Sequence, residues 1–256
     1  MRPRAGTRKD SRSPGSPGST TPTAHRRPWQ FRKLFPMDRW ATFDCYGTLI
    51  DWERGIGDTF ARLWPEADRE QLLARYLEIE PKVQEGSAMP YREVMAVALE
   101  KLAEAEGLEL RPLDREALAD SLPTWPPFPE VRQSLGELVR RGWGIGILSN
   151  TDPDLLSASL LLIGFEPNIV ITAAEAGSYK PAHGHWEAFR RRSEADPDRH
   201  VHVAASLFHD IIPCSEMGIP AVWINRKREI TNYPRAAELP DVSELPDTLD
   251  AVMPSE

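Results

Sequence analysis

The sequence predicts an α/β protein: a doubly wound, Rossmann-like parallel sheet core carrying an inserted helical-bundle cap. Three observations lead there. Short apolar runs alternate with helical segments, the order that builds a parallel sheet covered by helices on both faces. One stretch, residues 53–124, breaks that rhythm with helical patterns and no convincing strand. Polar residues recur just after the apolar runs, where such sheets place their sites.

The strands are expected at 40–43 (WATF), 143–148 (WGIGIL), 169–172 (IVIT), 202–205 (HVAA) and 221–225 (AVWIN), apolar enough to be buried on both faces. Helical spacing between them covers 131–141, 154–162, 186–194 and 213–217. The insertion reads as helices over 53–64, 69–80, 91–106 and 115–121, and the Pro-rich TWPPFPE at 124–130 returns the chain to alternation. The core is therefore assigned to 37–52 and 125–256, and the cap to 53–124.

Composition narrows the class of molecule. The chain has 256 residues, 41% hydrophobic and 27% charged, and no apolar run approaches the ~18 to 20 residues of a membrane span. Residues 1–36 hold nine Lys or Arg and one acid, and the other 220 residues carry a net charge of −16. So acidic a body does not attract nucleic acid. The first 36 residues are rich in Ser, Thr, Pro and Gly and read as a disordered basic tail. Two accounts of that tail stand open: an arm for an acidic partner, and an upstream extension of a chain whose translation starts at Met37. Two cysteines make no disulfide framework, and no apolar stretch follows the N-terminal basic residues as in a secretory signal. The expectation is a cytoplasmic protein with a small-molecule substrate and no nucleic-acid or membrane partner; a homodimer is left open.

Asp44 stands directly after the first strand, before the tight-turn pair Gly47 and Thr48, where a nucleophile would sit. Ser149 and Asn150 follow the second strand, Lys180 the third and Asp210 the fourth. Each alone is an ordinary turn or cap residue. In a parallel sheet all four converge on one edge.

These residues fall in FDCYGTLIDW, ILSNTDP, SYKP and SLFHD, four motifs whose order and context resemble the haloacid dehalogenase-like superfamily of hydrolases over residues 39–250. The resemblance implies the doubly wound core, the helical cap and an aspartate nucleophile, Asp44. Two departures bear on the chemistry. Phosphatases of that superfamily place a second Asp two residues after the nucleophile as general acid, and here that residue is Tyr46. They also place a Mg²⁺-ligating Asp where this chain has Ala205. Both are more similar to the (S)-2-haloacid dehalogenases, whose halide leaving group needs no proton and which need no metal or other cofactor.

On that resemblance Asp44 attacks C2 and forms an ester, with Lys180 and Asp210 in the catalytic set. Thr48, Ser149 and Lys180 hold the substrate carboxylate and orient Asp44, Tyr46 lines the pocket, and Asn150 with a cap arginine receives the halide. Arg75, 31 residues after Asp44, is the expected arginine, with Arg92 next. The Ser-Ser-Asn of such dehalogenases becomes Ala205, Ser206 and Leu207, so the water-positioning set is incomplete; Ser206 and His209 are taken as site residues, His209 as a substitute base. Two alternatives remain open: a Mg²⁺-dependent small-molecule phosphatase and a weakly active binding or regulatory protein.

Other features read as structural. The glycines of Gly142–Gly146 lie before and within a strand, not in the turn a pyrophosphate requires. His183 and His185 are expected as helix-start caps, and Cys45 and Cys214 as buried thiols.

Overall fold

The computed structural model describes residues 37–87 and 89–255, so the expectations for the N-terminal tail lie outside the described residues. The core strands are β1 (Trp40–Phe43), β2 (Gly144–Ser149), β3 (Ile169–Thr172), β4 (His200–Ala204), β5 (Ala221–Ile224) and β6 (Ala237–Leu239). They form one parallel sheet in the order β3-β2-β1-β4-β5-β6. The chain builds outward from β1 on one side and then crosses to β4 on the other. That reversal leaves a crevice at the carboxyl end of β1, the usual place for a ligand in an open α/β sheet.

Between β1 and β2 come α1 (Trp52–Leu63), α2 (Arg69–Gln84), α3 (Tyr91–Glu106) and α4 (Ala117–Ser121), which form the cap, and then α5 (Val131–Arg140). The rest of the core adds α6 (Pro153–Ile163), α7 (Ala173–Ala176), α8 (Gly184–Ser193), α9 (Ile212–Glu216) and α10 (Leu245–Val252). A π-helical turn, Leu207–Ile211, precedes α9. No helix among the described residues is long and apolar enough to cross a membrane.

Side chains alternate across a strand, and two apolar clusters follow from that alternation. Ala41, Phe43, Ile145, Ile147, Val201 and Val203 pack with Leu135 and Leu138 of α5, Leu249 of α10 and the cap interior. Trp40, Leu148, Ile171 and Ala204 pack with Trp186 and Phe189 of α8 and Cys214 of α9. Gly144 belongs to this close packing: a Cβ there would lie 2.7 Å from the Trp40 ring and from Met37 Sδ, which accounts for the glycine without any phosphate.

The cap is fixed to the core by a shared cap residue. Helix α3 begins after Pro90 with no side-chain cap of its own. The carboxylate of Asp152, just before α6, accepts from the backbone N–H groups of Tyr91 and Arg92, each at 2.9 Å. A core residue thus satisfies orphan donors of a cap helix and places negative charge at its N-terminus. At the other end of the cap Trp125 packs over α1 at Gly55, where a Cβ would stand 2.2 Å from the indole ring.

Several boundaries differ from the sequence expectation. Strand β4 begins at His200, two residues early, because His200 and His202 both bond Thr42 Oγ1 on β1 (2.7 and 2.8 Å) and tolerate burial there. Helix α2 runs to Gln84, four residues past its expected end, with Pro81 accommodated inside it. β6 and α10 are additional elements of the core.

Gly55→Ala should therefore destabilise the protein by about 1–3 kcal/mol through overpacking against buried Trp125. A lowered urea midpoint at unchanged slope is the expected measurement; an unchanged midpoint would show that the cap and Trp125 separate freely.

Candidate active site

Asp44 leaves β1 with its backbone N–H still bonded to Val203 O at 3.1 Å, so the residue is held at the sheet edge. The chain then reverses through Gly47 at φ 93°, a conformation that favours glycine. This turn brings the Thr48 hydroxyl back to donate to Asp44 Oδ2 at 2.9 Å. Thr48 Oγ1 in turn accepts from Ala205 N at 2.9 Å, and its carbonyl accepts from Arg226 at 2.8 Å. One side of the Asp44 carboxylate is thereby fixed.

Lys180 fixes the other. Its Nζ donates to Asp44 Oδ1 at 2.8 Å, Asp210 Oδ1 at 2.7 Å and Leu148 O at 3.0 Å, so all three ammonium hydrogens are used. The side chain is 1% exposed. Burial disfavours its charge, but Asp210 and Asp44 outweigh burial and hold the pKa above the usual lysine value. Burial works to raise the fully buried Asp210 carboxyl, but Lys180 and His202, whose Nε2 lies 3.0 Å from the same oxygen, outweigh burial and draw it below the carboxylate range. Asp210 Oδ2 has no hydrogen-bond partner.

The remaining expected core residues gather round this centre. Ser149 and Thr151 are buried with their hydroxyls unpartnered, and both line the cavity beside Asp44. Ser206 caps the π-turn, its Oγ accepting from His209 N at 3.1 Å, and His209 Nδ1 lies 3.2 Å from that oxygen. Burial pushes the His209 imidazole below its ordinary pKa, so it is neutral at neutral pH. Tyr46 lines the cavity and bonds Ser159 of α6 at 2.9 Å, its ring edge-on to Trp125. Burial pushes its phenol well above the usual tyrosine value.

Asn150 and the two arginines stand differently from expectation. Asn150 clamps the Lys180 backbone, accepting from its N–H at 2.7 Å and donating to its carbonyl at 3.0 Å. A weaker contact of 3.5 Å reaches Gln84 Oε1 on α2. Its amide is therefore engaged and not free for a halide. Helix α2 turns Tyr76, Leu77, Glu80, Pro81 and Gln84 to the cavity, and at about 100° per residue this rotates Arg75 away from it. Arg75 is exposed and paired with Glu78 and Glu106 at 2.5 and 3.2 Å. Arg92 pairs with Asp152 and Asp154 outside the cavity.

The cavity between core and cap measures about 620 Å³. Sequence reasoning missed Glu80, Tyr76 and Tyr91 on its cap wall and the buried His202 behind Asp210. The spacing of Tyr76, Glu80 and Gln84, one face of a helix, was the available signal. His185 is also buried, bonded to Ser149 O at 3.1 Å, and burial lowers its pKa to about 3; it is a packing residue, not a helix cap. Burial likewise raises the Cys45 and Cys214 thiols, as expected of inert cysteines.

Residues 39–218 match the family model for haloacid dehalogenase-like hydrolases. The chain belongs to that family. It is 26% identical over 218 residues to the (S)-2-haloacid dehalogenase of Pseudomonas sp. (strain YL), covering 78% of this chain and 87% of that protein. It is 29% identical over 160 residues to the phosphoserine phosphatase of Thermus thermophilus, covering 61% and 64%. The structure of the L-2-haloacid dehalogenase from Xanthobacter autotrophicus with chloropropionic acid covalently bound superposes with a TM-score of 0.72 at 20% identity, covering 82% of this chain and 98% of that one. The protein is thus a hydrolase with the doubly wound core and helical cap of that family.

Two outcomes follow from the geometry. Arg75→Ala should leave turnover unchanged and alter stability by at most about 1 kcal/mol, since exposed ion pairs contribute little; a large loss of kcat would put the guanidinium in the site after all. Asp210→Asn should lower stability by about 3–5 kcal/mol, because it strips one of two counter-charges from a buried ammonium. The depressed Asp210 carboxyl stabilises the fold fully above the ordinary aspartate pKa and loses that contribution as pH falls through its lowered value. The wild-type advantage over Asp210→Asn in urea melts should therefore shrink only on strong acidification.

Proposed function

We propose that this hydrolase cleaves the carbon–halogen bond of 2-haloacids through an ester on Asp44. One observation carries the reading: the Asp44 carboxylate, oriented by Thr48 and Lys180, faces the cavity with no acid two residues on to protonate a leaving alkoxide. Tyr46 occupies that position, and its raised pKa makes it a poor acid at neutral pH. Halide departs without a proton, so that step needs no general acid.

In the first step an Asp44 carboxylate oxygen attacks C2, the carbon–halogen electron pair leaves with the halide, and an alkyl ester forms. The unpartnered hydroxyls of Ser149 and Thr151 support a place for the substrate carboxylate beside Asp44. In the second step water adds to Cγ of Asp44 while neutral His209, braced by Ser206, takes its proton. The Cγ–O bond to the alkyl group then breaks as the His209 imidazolium returns the proton to the departing oxygen, releasing a 2-hydroxyacid, and Asp44 loses its acid proton to solvent and is restored as a carboxylate.

The donor set does not suit a divalent ion. Among the described residues no three His, Cys, Asp or Glu side chains come together as ligands, position 205 is alanine, and the Lys180 ammonium already stands between Asp44 and Asp210. No step is routed through a metal, and the reading needs no cofactor. It fits a cytoplasmic enzyme with a small-molecule substrate.

The test is halide release from (S)-2-chloropropionate set against phosphate release from a panel of monoesters, each with EDTA and with Mg²⁺. Halide release that survives EDTA is expected; Mg²⁺-dependent phosphate release alone would select the phosphatase instead. Asp44→Asn should lower kcat by at least about 1,000-fold, since an amide is a far poorer nucleophile. In His209→Gln the ester should accumulate and appear by mass spectrometry as an added propionate. Loss of the first turnover as well would remove His209 from the second step.

A further inference from the structure

The cavity is larger and differently charged than a short haloacid requires. Its 620 Å³ falls in the range of about 300–1,000 Å³ found for drug-sized ligands, whereas 2-chloropropionate has about six non-hydrogen atoms. All three of its lining Lys and Arg residues are already engaged. Lys180 holds Asp44 and Asp210; Arg226 pairs with Glu130, bonds the Thr48 carbonyl and lies 3.5 Å over the Phe128 ring; Lys227 pairs with Glu53.

Glu80 on the cap wall is the opposite case. Among the described residues it forms no ion pair; its contacts are Gln84 Nε2 at 3.4 Å and the Tyr91 hydroxyl beside it. Burial raises its pKa to about 7, so the carboxyl lacks a counter-charge that would stabilise its ionised form. Tyr76 lies one helical turn before it, 1% exposed, and its hydroxyl has no partner. Tyr179 is the other titratable neighbour, and its hydroxyl is spent on Met89 O at 2.6 Å. A carboxyl without a cation, an unsatisfied hydroxyl and flanking aromatic rings form a set that suits a positive charge.

We propose that Glu80, with Tyr76 and Tyr91, is a recognition site for a protonated amino group at the far end of the substrate. This rests on the reading of Asp44 as nucleophile toward a 2-haloacid and narrows its substrate class: a haloacid whose chain carries an ammonium group. The acid end lies against Ser149 and Thr151 of the core, and the ammonium end against α2 and α3 of the cap. Glu80 is a specificity residue and takes no part in the bond changes. Its contribution therefore falls on binding, and so on KM more than kcat.

Calorimetry on the full chain at pH 8 tests the site without any reaction, using 6-aminohexanoate and hexanoate as probes. The amino acid should bind at least about tenfold more tightly, a difference of about 1.4 kcal/mol. Glu80→Gln should reduce that lead to threefold or less, and Tyr76→Phe, which deletes only a hydroxyl, should reduce it in part. Equal affinity for the two probes, no binding of 6-aminohexanoate, or a lead that persists in Glu80→Gln overturns the proposal. A kinetic arm separates this from the reaction itself: 6-amino-2-bromohexanoate should show a lower KM than 2-bromohexanoate at similar kcat. If neither releases bromide while the calorimetric lead is present, the carbon–halogen reading falls and the ammonium site stands. Release from both at equal KM, without a calorimetric lead, removes the site and leaves the reaction.

Discussion

The ammonium of Lys180 sits between two carboxylates with almost no access to water, and the rest of the site is arranged around that contact. Removing a lysine from water is expensive, and the cost is offset here by three oxygen acceptors and two negative charges. The arrangement is reciprocal: burial alone would raise the Asp210 carboxyl, and Lys180 outweighs burial and draws it below the carboxylate range. Each partner comes from the carboxyl end of a different strand, β1, β3 and β4, so the triad exists only when the sheet is assembled in its observed order.

The cap enters the same network by a second route. Asn150 holds the Lys180 backbone on both sides and reaches Gln84 at 3.5 Å, and Gln84 reaches Glu80 at 3.4 Å. Asp152, two residues after Asn150, caps α3. The loop after β2 therefore touches two of the cap helices that wall the cavity, α2 and α3, and also the residue that orients Asp44.

How much was legible in the sequence follows from the same geometry. Strand ends are readable because a buried strand is an apolar run and its end is where polar residues resume; Asp44 and Ser149 lie there, while Lys180 follows α7 and Asp210 sits in the π-helical turn after β4. Strand β1 and helix α3 match the sequence expectation residue for residue. A helix face is harder to read: one residue of register rotates a side chain by about 100°, and this separates outward-facing Arg75 from inward-facing Tyr76. Strand β6 escaped notice because it is a three-residue edge with one buried residue, Leu239. His202 was hidden for the opposite reason: among valines and alanines its polarity is invisible until Thr42 and Asp210 are seen to satisfy it.

The distribution of charge in the cavity links the unusual motif residues to one another. Tyr46 and Ala205 each stand where a carboxylate would have added negative charge next to Asp44 and Asp210. With a single lysine between these two, additional acids would require an additional cation. Tyrosine and alanine leave the centre with two carboxylates around one ammonium and no further acid. A further carboxyl, Glu80 on the cap wall, forms no ion pair among the described residues and has the Tyr91 hydroxyl beside it. On the proposed reading, Asp44 asks for an electrophilic carbon and Glu80 on the cap wall for a positive charge, so the two walls of the cavity make different demands of one ligand.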